Sequence, residues 1–240
     1  MQYCVLIIVR YPKLLGWAGF ISMAIFRLPL WLNKNINFWK LMGCGKNGSF
    51  SKTPDWRQWS LLYTFNSVVD GSTEISEKTL QEKMPFIFSY WKLFNCETIS
   101  FVLKPIEGHG TWDGNEPMGN LPKQSDYEGV IGVLTRATIR LNKLKSFWQH
   151  VDGVSNTMST ADGFITSFGI GEVPWIKQAT FSIWQSKQQM KAFAYNMREH
   201  KEVVQKTRKE NWYSEDMFVR FEVLASYGCI NETNPLKRNP

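Results

Sequence analysis

Three histidines (His109, His150, His200) and four cysteines (Cys4, Cys44, Cys96, Cys229) are the side chains of this 240-residue chain best suited to metal or redox chemistry. The cysteines lie far apart, with no CxxC pair and no zinc-type spacing, so they read as reduced thiols of a cytoplasmic protein. His200 is set differently. Met190, Phe193, Ala194, Met197 and Val204 recur at three- and four-residue spacing, and at about 100° per residue His200 falls on the margin of that apolar stripe. A histidine on the inner side of a helix, covered by a sheet, is where a haem iron could be held. The competing reading is a core histidine hydrogen-bonded to a carbonyl. Gly43-Cys44-Gly45-Lys46-Asn47-Gly48 matches GxGxxG literally, but no helix opens from its last glycine, so a nucleotide loop is rejected and a flexible glycine loop is expected.

The elements that must position His200 are legible around it. Ala179–Trp184 alternates like a half-buried strand. Ser186 with Gln189 three positions later forms a capping box and starts the long helix. Met217–Leu224 then reads as a further strand. Upstream, Gln2–Val9 is a buried strand with none of the marks of a signal peptide. Leu14–Phe26 is apolar over thirteen residues, short of the roughly twenty that a membrane span needs. A core helix is expected there; the alternative is a helix lying at a membrane surface, with Trp17, Phe20 and Trp31 at the interface.

Strands are further expected at Trp59–Asn66, Thr98–Pro105, from Gly129, and at Gly163–Ile170. Helices are expected within Glu74–Cys96 and around Arg140–Val151, and a long loop over Glu107–Pro122. The order predicts an α+β fold of two ferredoxin-like halves, 1–127 and 128–240, forming a dimeric-α+β-barrel-like sandwich with helices outside and a cavity between sheet and helix. The second half would carry the cofactor ligand. A doubly wound sheet is disfavoured, because the link between the strands near 170 and 178 is too short for a crossover.

The formal charge of +7 suits an anionic membrane face, a haem with its propionates or an acidic redox partner. The basic residues form no run that would track nucleic acid, so none is expected as a partner. The high aromatic content suits a large apolar ligand and an ordinary thick core alike.

Six collinear blocks carry a resemblance: Phe38-Trp39-Lys40-Leu41-Met42-Gly43; Lys104-Pro105 followed by Trp112-Asp113-Gly114; Leu134-Thr135-Arg136-Ala137-Thr138; Gly169 to Pro174; Gln178 to Trp184; and Trp212 to Phe221. Together the chain resembles the spheroidene monooxygenase family over nearly its whole length. The resemblance implies a haem b oxygenase that inserts oxygen from O2 into an acyclic carotenoid, giving hydroxy and then keto products. It implies a reduced ferredoxin-type electron donor. A cytoplasmic location is expected, with peripheral contact at the cytoplasmic membrane face as an option. His200 would be the axial iron ligand, with Cys44 as thiolate or Tyr195 as tyrosinate as rivals. Arg136 and Arg220 would meet the propionates, unless they are salt-bridged structural arginines. Trp184 and Met197 would complete the cofactor pocket. Trp112, Asp113, Phe38 and Trp39 would border the substrate, although the favoured reading of Trp112-Asp113 from the residues alone is a turn with a packing Trp. Two other functions fit the same composition: a cofactor-free oxygenase of small aromatic substrates, and a non-catalytic haem or carotenoid carrier.

Overall fold

A computed structural model describes residues 1–66, 75–149, 158–196, 207 and 209–237. Eight antiparallel strands close on themselves in the order β1-β3-β2-β6-β7-β5-β8-β4. They are β1 (Gln2–Arg10), β2 (Phe38–Gly45), β3 (Pro54–Asn66), β4 (Glu97–Gly110), β5 (Ile131–Ile139), β6 (Phe164–Val173), β7 (Lys177–Trp184) and β8 (Tyr213–Gly228). The helices are α1 (Gly16–Ile25), α2 (Arg27–Leu32), α3 (Glu77–Lys83), α4 (Pro85–Leu93) and α5 (Lys187–Asn196). The expected α+β, barrel-like architecture is thus present as a single closed barrel, and closure removes every sheet edge.

Strand alternation divides the apolar residues between two sides of the wall. Cys4, Leu6 and Ile8 of β1 join Met42, Leu62, Phe101, Leu134, Ile170, Phe181 and Val219 in a core to which all eight strands contribute, the barrel interior. Tyr3, Val5, Ile7 and Val9 face the other way, onto α1–α4. Buried on both faces, β1 is apolar without interruption. The interior is filled by side chains, as in other eight-stranded barrels. Ile230 and Leu236 of the C-terminal segment pack against it.

Two seams join the first four strands to the last four. At one, β4 and β8 pair over eleven registered positions. At the other, β2 and β6 share only Gly43↔Gly171 and Cys44↔Ile170. Here the structure corrects the expected glycine loop in part: Phe38–Gly45 is a strand, and only Lys46–Gly48 forms a turn. Glycine is needed because the following segment lies directly on the seam. A Cβ on Gly169 would stand 2.5 Å from the Phe50 backbone and one on Gly45 2.1 Å from the Ser49 carbonyl, closer than any real contact.

A second correction concerns Leu14–Phe26. The stretch is helical but not a core helix, because α1 buries only Ala18, Gly19 and Ser22. Gly19 lets it press onto β3, where a Cβ would meet the Trp59 ring at 2.3 Å. The opposite face of α1 is exposed. Around 140–151, residues 141–143 form a 3-10 turn and 144–149 a helical turn; the remainder lies outside the described residues. The expected loop from Glu107 begins instead inside β4, which runs on to Gly110.

Candidate functional site

One mouth of the barrel is closed by charge. Continuing inward alternation past the apolar core brings Lys40 of β2, Arg136 of β5, Glu172 of β6, Lys177 of β7 and Glu215 of β8 to the same end. The segment after β4 tucks in among them. Asp113 and Gly114 both have positive φ (52° and 73°), and Trp112 pairs with Asn115 across them, as a tight Asp-Gly turn requires. The turn drives Trp112 into the barrel, where it is fully buried with Phe38 at its edge, ring centroids 5.6 Å apart.

The cluster is charge-balanced, with three cations and three carboxylates. Lys40 Nζ lies 2.9 Å from Glu172 Oε2 and also contacts Asp113. Lys177 Nζ reaches Asp113 Oδ1 at 2.6 Å. Arg136, 1% exposed, pairs closely with Glu215 and lies 3.4 Å from Asp113 and 3.7 Å from Glu172. Trp112 Nε1–H donates to Glu172 at 2.7 Å, and the Arg136 guanidinium lies 5.5 Å from the Trp112 ring centroid. Burial pushes the Asp113 carboxyl up, but hydrogen bonds and charge from Lys177 and Lys40 outweigh it and hold its pKa at about 2. Burial likewise opposes ionisation of Glu215, yet donors from Gly114 N–H, the Thr111 hydroxyl and Arg136 bring it to about 2. The mouth is a plug of ion-paired groups.

A second ion cluster sits on the outer wall. Arg220 of β8 is registered with Val133, which packs in an outer cluster with Ile131, Trp184, Met190 and Phe193. Its guanidinium pairs with Glu107. Glu107, 1% exposed, is also held by Lys187 Nζ at 2.6 Å and by Ser125 N–H at 2.8 Å. Burial works against the Glu107 charge, but the donors from Lys187 and Arg220 win and lower its pKa. Lys187 also donates to the Ser125 carbonyl. This cluster carries two cations for one anion, and Arg220 Nε is buried with no hydrogen-bond partner.

A third feature is a small crevice of about 60 Å³ over the short β2–β6 seam. Phe50, Trp148, Trp175 and Pro174 wall it, with Cys44 and the seam glycines at its floor. Phe50 stacks on Trp148 with ring centroids 5.5 Å apart.

No family model matches the chain. Curated relatives do. Spheroidene monooxygenase of Rhodobacter capsulatus is 32% identical over 219 residues, 90% of this chain and 87% of the relative. The chain belongs to the spheroidene monooxygenase family. With that comes membership of the oxidoreductases. The spheroidene monooxygenase of Cereibacter sphaeroides is 31% identical over 83% of this chain and 59% of its own length, and that of Rubrivivax gelatinosus 29% over 80% and 70%. Among solved structures, an aldoxime dehydratase superposes with a TM-score of 0.60 at 8% identity, covering 95% of this chain and 84% of its own. A second, OxdRE with butyraldoxime, gives 0.58 at 9%, covering 93% and 79%. These two likenesses concern the α+β barrel fold alone.

In this member of the spheroidene monooxygenase family, the residues singled out from sequence fall in separate places. Trp112, Asp113, Phe38 and Arg136 meet at the mouth plug, where Trp112 closes the barrel. Trp39 points outward into the layer under α1–α4. Arg136 and Arg220 lie on opposite faces of the wall and do not converge on one ligand, and each is ion-paired. Trp184 is buried on the outer face, 5.1 Å from Phe193 and 5.5 Å from Phe164. Cys44 faces the packed interior, where burial raises its thiol to about 12 and disfavours a thiolate. Met197, His200, His150 and the side chain of Tyr195 lie outside the described residues. His109, on β4, is exposed beside Phe218. Among the described residues no three His, Cys, Asp or Glu side chains converge as a metal site. Lys40, Glu172, Lys177, Glu215, Glu107 and Lys187 went unnoticed in the sequence. The available signal was a charged residue continuing the inward face of an apolar strand, as Lys40, Glu172 and Glu215 do.

Proposed function

We propose that this protein is a monooxygenase that inserts oxygen from O2 into an acyclic, spheroidene-like carotenoid. One oxygen atom enters a C–H bond and the other leaves as water, with two electrons supplied by a reduced ferredoxin-type donor and two protons by solvent. Repetition at the same carbon gives a keto product. The observation that carries this reading is the 32% identity across 90% of the chain.

A bound haem b would supply the O2 activation, and His200 would be the residue that holds it. Arg220 supports a carboxylate-bearing cofactor on the outer wall: its Nη1 is fixed by Glu107 while its Nε is buried and unpartnered. Arg136 gives no such support. Its Nε is unpartnered too, but its charge is met by Glu215, Asp113 and Glu172 inside the sealed barrel. The described residues thus fit the group through one cation only. Since side chains fill the interior, a polyene belongs outside the wall, and the aromatic crevice over the β2–β6 seam is the best described surface for part of it.

Two ferredoxin-like halves, 1–127 and 128–240, are part of the same proposal. The strand orders β4-β1-β3-β2 and β8-β5-β7-β6 support it, since each repeats the same arrangement of four consecutive strands.

The test is a pigment extract from a carotenoid-producing host with and without the protein, beside a spectrum of protein made with ample haem. A more polar, red-shifted keto carotenoid and a Soret band that His200→Ala weakens or shifts are expected. An unchanged pigment profile overturns the substrate, and a spectrum without haem in active protein overturns the cofactor.

A further inference from the structure

We propose that the outward face of α1 and α2, with the adjoining Trp56, docks on an anionic phospholipid bilayer. A helix apolar all round is ordinarily buried all round. Here Ala18, Gly19, Ser22, Phe26 and Leu30 pack inward, whereas Trp17 (56% exposed), Phe20 (63%), Leu28 (62%) and Trp31 (74%) face out. Lys13–Leu32 is long and apolar enough to cross a membrane. Its inner side, however, is fastened to the barrel through Gly19 on Trp59 and to α4 through the Tyr90 hydroxyl, which donates to the Ala18 carbonyl (2.9 Å). It therefore lies along the protein surface. Phe20 continues the face to Trp56, ring centroids 6.4 Å apart, and Trp17 continues it to Phe94 at the end of α4, 5.9 Å away. Tryptophan and phenylalanine on such a face match the headgroup–acyl boundary of a bilayer.

Charge selects the occupant. The chain has seven Lys or Arg and no Asp or Glu before Asp55, and the rest of the sequence is electrically balanced, so the whole +7 resides in this N-terminal stretch. Lys13, Arg27, Lys34 and Lys92 are exposed on α1, α2 and α4 or just beside them, and none has a carboxylate partner among the described residues. A second copy docked on the same face would set these cations against their own kind, whereas phosphate headgroups would neutralise them.

The experiment is flotation of the purified full chain with vesicles of phosphatidylglycerol and phosphatidylcholine, against phosphatidylcholine alone. Binding is read without turnover, so this inference and the carotenoid reading can fail separately. Capture by anionic vesicles is expected to be at least about tenfold stronger, weakening as salt is raised. Leu28→Ser with Trp31→Ser should lower it about tenfold, with unchanged circular dichroism. Lys13→Glu with Arg27→Glu should abolish the preference for anionic lipid. Independently of any variant, lipids brominated near the headgroup should quench part of the wild-type tryptophan emission. No capture, equal capture by both vesicle types, absent quenching, or a dimer that the Leu28/Trp31 variant splits without any vesicle binding would overturn the proposal.

Discussion

The two ion clusters use the same chemistry on opposite sides of one wall, and they differ in how the charge is shared. At the mouth, three cations and three carboxylates are cross-linked, and Arg136, Lys40, Asp113 and Glu172 each touch more than one partner. On the outer wall, one carboxylate, Glu107, holds two cations by itself. A meshed cluster can redistribute when one member goes; a hub cannot. The lesson is that burial alone does not rank these residues, since Arg136 and Glu107 are both 1% exposed.

The largest effect should therefore come from the hub. Glu107→Ala leaves Lys187 and Arg220 buried beside each other and should cost about 3–5 kcal/mol, read as a fall of roughly 10 °C in the thermal midpoint. Adding Lys187→Met should return a substantial part of the loss, and a double-mutant cycle without that coupling would break the hub description. Arg136→Met should cost less, about 3 kcal/mol at most, because Lys40 and Lys177 remain to hold Asp113 and Glu172, and Glu215 keeps its donors from Thr111 and Gly114. If urea denaturation finds it as damaging as Glu107→Ala, the contrast is lost.

The smallest effect is on pH. Asp113 and Glu215 titrate near 2 in the folded chain, below the roughly 4 of an unfolded carboxylate. Their stabilisation is complete above the unfolded value and disappears as pH falls from about 4 through about 2. Asp113→Asn with Glu215→Gln should flatten the stability profile over that window, measured as urea midpoint against pH.

Local pattern made the strands legible where apolar residues ran unbroken or nearly so, as in β1 and β4, or alternated with polar ones, as in β8. Gln2–Val9, Thr98–Pro105 and Met217–Leu224 all lie within observed strands, each shorter than the strand itself because the charged ends, such as Glu107 and Glu215, look like loop. Phe38–Gly45 was missed for another reason: Gly45 answers a close approach of the Ser49 carbonyl that no local pattern encodes. Leu14–Phe26 was legible as helix but not as surface, since composition reports hydrophobicity and not which side finds a partner. Arg136 and Arg220 stood out as charges inside apolar strands. That they face apart depends on the register of β5 against β8, where Arg136 pairs with Met217 and Val133 with Arg220.

The unequal seams have a mechanical consequence. With only two registered pairs between β2 and β6 against eleven between β4 and β8, the cylinder resembles a cuff with a long weld on one side and a small clasp on the other. Thermal breathing should part the clasp first, so the backbone amides of Cys44 and Ile170 should take up deuterium well before those of β4.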